Sequence, residues 1–135
     1  MKKLLMVVCF LSILSCEKET CEDCDGLSSL VLPGGKGGNY YLAVFTKHNT
    51  SGVNSRIYLK YACNSKPVDT SMYDEAYNSM TEPGFGPHAH FGQLKKGVYF
   101  IYARSTGGNT LMEGDTVIQL TDSSSTGFDF NLYLN

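Results

Sequence analysis

Residues 88–103, HAHFGQLKKGVYFIYA, carry the pattern that decides the fold of this chain. The first half alternates polar and apolar side chains from His88 to Phe91, which is the period of a strand with one buried face. The second half, from Val98 to Ala103, is almost entirely aromatic and aliphatic and is the strongest strand signal in the chain. The sequence KKG at 95–97 supplies a turn between them. The stretch therefore predicts two consecutive β-strands.

Strand patterns recur on both sides of this stretch. They cover residues 41–46, 56–62, 72–80, 116–120 and 128–134. Turn sequences such as NTSG at 49–52 and EPGFGP at 82–87 separate them, and no window of ten or more residues has helical periodicity. Seven strands at spacings of about 8–15 residues indicate an all-β domain, a single β-sandwich of about seven antiparallel strands.

The same strands resemble a known group of sandwiches. Phe91, Leu94, Gly97 and Tyr99 match the phrase F-x-x-L-x-x-G-x-Y of the transthyretin-like, or prealbumin-like, domains. That group includes the carboxypeptidase regulatory-like domains and the collagen-adhesin B-type repeats, and small lipoproteins of Bacteroidota carry similar segments. The resemblance spans residues 39–135 and implies a prealbumin-like sandwich. It implies little about chemistry, because one fold supports many functions.

The N-terminus carries an export signal. Lys2 and Lys3 precede an apolar run at residues 4–14, which has the length of a secretory signal and is too short to span a bilayer. Ser15 and Cys16 follow, and the sequence ILSC at 13–16 resembles the bacterial lipobox. That resemblance implies a signal peptide at residues 1–15, cleavage before Cys16, and lipidation of its sulfur. Cys16 would then anchor the protein in a membrane through fatty chains.

Residues 16–38 predict a flexible tether, because acidic side chains crowd its first part and PGGKGG at 33–38 ends it. The run CEKE at 16–19 resembles the surface-export signal of Bacteroidota lipoproteins. We therefore expect an outer-membrane lipoprotein exposed on the cell surface, with a periplasm-facing protein as the alternative. The folded domain is predicted to begin at residue 39.

Charge and cysteine content limit the function further. Removing residues 1–15 leaves 120 residues and changes the formal net charge from −2 to −4, which offers no basic field for nucleic acid. Cys21, Cys24 and Cys63 remain as thiols, so one pair can be oxidised while one stays free. The spacing of Cys21 and Cys24 favours a local disulfide between them, because no helix follows to support redox chemistry. Cys63 is predicted to be a small packed side chain.

His88 and His90 are the candidate metal ligands. A spacing of two on a strand places both imidazoles on one face, where they can hold zinc or copper, and His48 is a candidate third ligand. The alternative is that both are exposed polar residues which the strand alternation itself requires.

The leading functional prediction is a non-enzymatic accessory or adhesion module of the cell envelope with a protein or glycan partner. The chain has no G-x-S-x-G elbow, phosphate-binding glycine loop or dinucleotide fingerprint. Tyrosines fall on both faces of two strands, so some are expected to be exposed and available for recognition (Tyr58, Tyr61, Tyr99 and Tyr102). The alternative is a small metal- or ligand-binding lipoprotein that uses His88 and His90.

Overall fold

The computed structural model describes Cys24, residues 32–122 and residues 126–135, and this part of the chain is a two-sheet, all-β structure, as predicted. The strands are β1 (Lys36–His48), β2 (Ser51–Gly52), β3 (Ser55–Tyr61), β4 (Glu75–Asn78), β5 (His88–Leu94), β6 (Gly97–Ser105), β7 (Glu113–Leu120) and β8 (Gly127–Tyr133). A 3-10 turn at Thr70–Met72 lies between β3 and β4. Within the described part, no helix has the length and apolar character needed to cross a bilayer.

The strands form two sheets that pack as a sandwich. In the first sheet, β1 lies between β5 and β8, and β2 pairs with the end of β1. The second sheet has the order β4-β3-β6-β7. β8 runs parallel to β1, so the prediction of antiparallel strands is wrong at this pair. The reason is that β8 follows a strand of the other sheet, and a chain crossing between sheets is not held to the antiparallel direction of a hairpin.

The core lies between the sheets and uses one face of each strand. Its largest buried side chains include Leu42, Phe91, Ile101 and Tyr99, and burial of such side chains is the main stabilising term for a domain of this size. At the C-terminal strand, Leu132 and Leu134 are buried, while Phe128 and Phe130 are more exposed.

The glycine-rich segment before β1 belongs to the domain, which corrects the predicted boundary at residue 39. Pro33 forms a β-bridge with Val98, and β1 already begins at Lys36. A Cβ atom at Gly34 would lie 2.5 Å from the carbonyl oxygen of Val98, so glycine is needed here for close approach of two backbones. The Tyr99 hydroxyl accepts a hydrogen bond from the Gly35 amide at 3.0 Å. The predicted signal peptide, Cys16 and the tether residues 16–23 lie outside the described residues.

An aromatic cluster covers the outer face of the second sheet. Tyr58 and Tyr102 stack with ring centroids 5.5 Å apart, and Tyr73 packs against both at 5.3 and 6.0 Å. A disulfide joins Cys24 and Cys63 beside this cluster. We call these five residues the covered face.

Candidate metal centre

A short hairpin that leads into β5 brings two histidines and a glutamate together. Met80 and His88 close this hairpin through two backbone hydrogen bonds, of 2.8 and 3.0 Å. His88 and His90 then point outward from the first sheet, because Ala89 and Phe91 occupy the core. This arrangement confirms the predicted facing of the two histidines. We call residues 80–90 the His hairpin.

The tip of the hairpin is a turn that positions Glu82. The Phe85 amide donates to the Glu82 carbonyl at 3.0 Å, and Gly84 has a φ of 86°. Proline at the second position and a glycine with positive φ at the third are the requirements of a type II turn. Because the turn is tight and the hairpin is closed by backbone bonds, the Glu82 side chain is held near β5.

The hydrogen bonding of His88 determines which of its nitrogens can bind a metal ion. His88 Nδ1 lies 2.7 Å from the Gly86 carbonyl oxygen, and a carbonyl can only accept, so Nδ1 carries the proton. In the neutral ring Nε2 is therefore the acceptor nitrogen, and it accepts a hydrogen bond from His90 Nε2. Ligating histidines almost always make this outer hydrogen bond to a carbonyl or carboxylate, which sets the tautomer and the ring orientation.

The Nε2 atom of His88 faces the imidazole of His90. The Nε2 atoms of His88 and His90 are 3.1 Å apart. Two nitrogens at this separation, each about 2.05 Å from a zinc ion, subtend an angle of about 98° at the metal, near the roughly 109° of a tetrahedron. Ligand atoms of Glu82, His88 and His90 all lie within 4.8 Å of one another. The three side chains supply two nitrogens and one oxygen, and leave coordination positions open.

The surroundings of the three ligands are apolar on one side and open on the other. The His88 ring is only 2% exposed and stacks on Phe45 at a centroid distance of 4.7 Å, while Phe85 approaches at 6.2 Å. Glu82 and His90 are exposed. The buried histidine is thus held in place by packing, and an ion can enter from the solvent side.

The predicted third ligand, His48, lies elsewhere. Its Nδ1 atom is 2.9 Å from the Leu134 carbonyl oxygen, next to the end of β8. β5 and β8 flank β1 on opposite sides, so His48 and the two other histidines are held at different strands. Glu82 takes the third position instead. A signal for it was available, since Glu82 begins a Pro-Gly turn that ends immediately before His88.

The cysteines pair differently from the sequence prediction. Cys24 forms its disulfide with Cys63, across 39 positions, so the predicted disulfide between Cys21 and Cys24 is wrong. Cys63 is fully buried, as expected, but it is a cross-link rather than a packed thiol. The reason is that Cys24 packs beside Cys63, which follows the end of β3 in the chain. Cys21 lies outside the described residues.

Three of the four tyrosines considered for recognition are buried, and the fourth, Tyr61, is partly exposed. Tyr58, Tyr99 and Tyr102 are 7% exposed or less. Burial, together with a hydrogen bond to Glu113, raises the pKa of Tyr102 to about 12, and burial raises the pKa of Tyr73 in the same direction. The Tyr102 ring also lies beneath the Lys66 ammonium at 4.1 Å. The rings of the covered face pack against one another, while the buried Tyr73 hydroxyl has no hydrogen-bond partner among the described residues.

No family model, curated protein or solved structure matches this chain. The function proposed below is therefore based on the geometry of the described residues.

Proposed function

We propose that this chain is an exported, lipid-anchored β-sandwich protein that binds a divalent transition metal ion, zinc or copper(II), through Glu82, His88 and His90. The export signal and lipidated Cys16 enter the proposal from the sequence resemblance at residues 1–16. The domain then acts as a metal-binding module held at the cell envelope, on the outer membrane.

One observation carries the proposal: the two Nε2 atoms lie 3.1 Å apart while His88 Nδ1 is bonded to the Gly86 carbonyl. A histidine that is merely a surface residue of a strand has no need of a fixed tautomer. Here the hydrogen bond to Gly86 orients Nε2 of the buried His88 ring toward the imidazole of His90, and the Glu82 carboxylate lies close by. Two imidazoles and a carboxylate suit zinc, and copper(II) is expected to bind more tightly at a nitrogen and oxygen site.

The adhesion function suggested by the sequence gains no support from three of its candidate tyrosines, because Tyr58, Tyr99 and Tyr102 are buried. A protein or glycan partner for this chain stays a prediction, and the metal site is the function that the geometry favours.

Isothermal titration of the full-length protein in detergent, without a polyhistidine tag, tests the proposal. We expect one zinc ion per chain, with copper(II) binding more tightly. His90→Ala removes one ligand atom from an exposed position and should weaken zinc binding at least about 100-fold, or about 2.8 kcal/mol. Glu82→Gln replaces a charged ligand by a neutral amide and should weaken it about 10-fold, or about 1.4 kcal/mol.

His48→Ala is the matched control, because it removes the third histidine of the chain from outside the site. It should bind zinc as the unmodified protein does. Equal stoichiometry and affinity in the unmodified protein and in His90→Ala would refute the metal site.

A further inference from the structure

The only two arginines of the chain lie directly opposite each other on the second sheet. The chain has eleven basic residues besides its histidines, and only Arg56 and Arg104 are arginines. They are paired residues in the antiparallel register of β3 and β6, and both are exposed. Like charges at directly opposed positions of a sheet destabilise it. Such a pair is therefore expected to have a compensating charge nearby, or a function that requires both charges to stay unpaired.

Neither guanidinium has an acidic partner among the described residues. Four lysines there lie within 3.9 Å of a carboxylate (Lys36, Lys60, Lys66 and Lys96), and no such pair involves an arginine. Arg56 Nη1 donates to the neutral amide oxygen of Asn78 at 3.3 Å. Glu113 is the register neighbour of Arg104, but its carboxylate accepts from the Tyr102 hydroxyl and lies 3.8 Å from Lys66. The Arg56 guanidinium lies over the Tyr58 ring at 5.7 Å, and no carboxylate among the described residues neutralises either arginine.

A groove of about 700 Å³ opens over the arginine pair. Its far wall is the β6–β7 loop at residues 106–111, whose side chains include Thr106, Asn109 and Thr110. Backbone bonds hold the base of this loop, since the Thr106 amide donates to the Asn54 carbonyl at 2.9 Å. A Cβ atom at Gly107 or Gly108 would meet nothing within 4 Å, so both glycines border open space.

We propose that the groove over Arg56 and Arg104 binds an oxyanion, a phosphate or carboxylate group carried by a small ligand or a saccharide. Guanidinium groups are planar and donate pairs of parallel hydrogen bonds that match the oxygens of these anions. The hydroxyls and amide of the loop supply further donors from the opposite wall. This site lies on the second sheet, so it is separate from the metal centre on the first.

Titration of the ¹⁵N-labelled full-length protein in detergent micelles tests this site. Sodium phosphate and sodium glucuronate are the two probes, and sodium chloride at matched ionic strength is the reference. We expect saturable shifts of the amides at residues 104–111 with at least one probe and linear, small shifts with chloride. The stronger probe distinguishes a phosphate source from a carboxylated saccharide.

Arg104→Gln should weaken binding of that probe at least tenfold, while its thermal midpoint without ligand stays unchanged or rises because repulsion is relieved. Lys95→Gln, which removes an exposed cation from the β5–β6 turn, should bind as the unmodified protein does. Shifts that fail to saturate, that chloride reproduces, or that persist unchanged in Arg104→Gln would overturn the proposal. Zinc affinity is independent of either result, so it tests the metal centre separately.

Discussion

The covered face on the second sheet and the His hairpin on the first sheet use their polar groups in different ways. On the covered face, tyrosine rings stack on one another, the Tyr102 hydroxyl donates to Glu113, and Cys24 is cross-linked to Cys63. On the first sheet, the His hairpin leaves the Nε2 lone pair of a buried histidine directed at another imidazole. The covered face uses its chemical groups to stabilise the fold, whereas the His hairpin groups three candidate metal ligands.

Sequence separation explains much of this difference. The candidate metal ligands all lie within nine residues, Glu82 to His90, and one closed hairpin brings them together. The covered face joins residues 39 positions apart. A local site can change with little effect on the remaining fold, whereas a long-range cross-link contributes to the stability of the whole domain. We therefore expect changes on the covered face to alter stability and changes at the His hairpin to alter zinc affinity.

Removal of the disulfide should have the largest effect. A cross-link that closes a loop of about 40 residues stabilises a fold by about 4 kcal/mol in the chain-entropy description. We expect Cys24→Ser/Cys63→Ser to lower the free energy of unfolding in urea by about this amount. Zinc affinity should stay unchanged, because the His hairpin lies on the other sheet. An unaltered urea midpoint would show that the cross-link does not hold the covered face.

Alkaline pH should destabilise the covered face next. The folded pKa of Tyr102 is raised to about 12 from the ordinary 10.0. The contribution of the Tyr102 phenol to the free energy of unfolding is therefore fully present below about pH 10 and is lost as pH rises through about 12. Its maximum is about 3 kcal/mol, since each unit of difference in pKa corresponds to about 1.4 kcal/mol. Tyr102→Phe should lower stability by about 1 kcal/mol at neutral pH and flatten the alkaline loss. Urea unfolding across pH 9–12 measures both effects.

Tyr133→Phe is the control for this measurement, since Tyr133 is 55% exposed and lies outside the covered face. It should leave the alkaline slope as in the unmodified protein. The same slope in Tyr102→Phe would contradict the role given to the buried phenol.

A change at the hairpin turn should have the smallest effect on stability and a selective effect on metal. Gly84 has a φ of 86°, and alanine in this left-handed region costs about 1 kcal/mol. Gly84→Ala should therefore lower the free energy of unfolding by about 1 kcal/mol and weaken zinc binding, because the turn that holds Glu82 is strained. Gly86→Ala is the control, since its Cβ would meet nothing within 4 Å. Identical zinc affinity in Gly84→Ala and Gly86→Ala would mean that the turn does not position a ligand.

Particular residues show how much of the structure can be predicted from the sequence alone. Alternation predicted that His88 and His90 share a face opposite Ala89 and Phe91, and burial confirms it. The sequence placed Gly34 in a flexible tether, although the glycine is there because backbones approach closely at Val98. It also named His48 rather than Glu82 as the third ligand. Both errors concern which segments meet, which a pattern along one strand does not encode.

Local patterns in the sequence predicted the all-β class, the position of most strands and the shared face of His88 and His90. These follow from the two-residue period of a strand, which is a local property of the backbone. Only the tertiary structure decided the parallel pairing of β8 with β1, the Cys24–Cys63 cross-link and the opposition of Arg56 and Arg104. Each depends on how strands distant in the chain pack into two sheets, because that packing is selected by burial of the whole core rather than by any one segment.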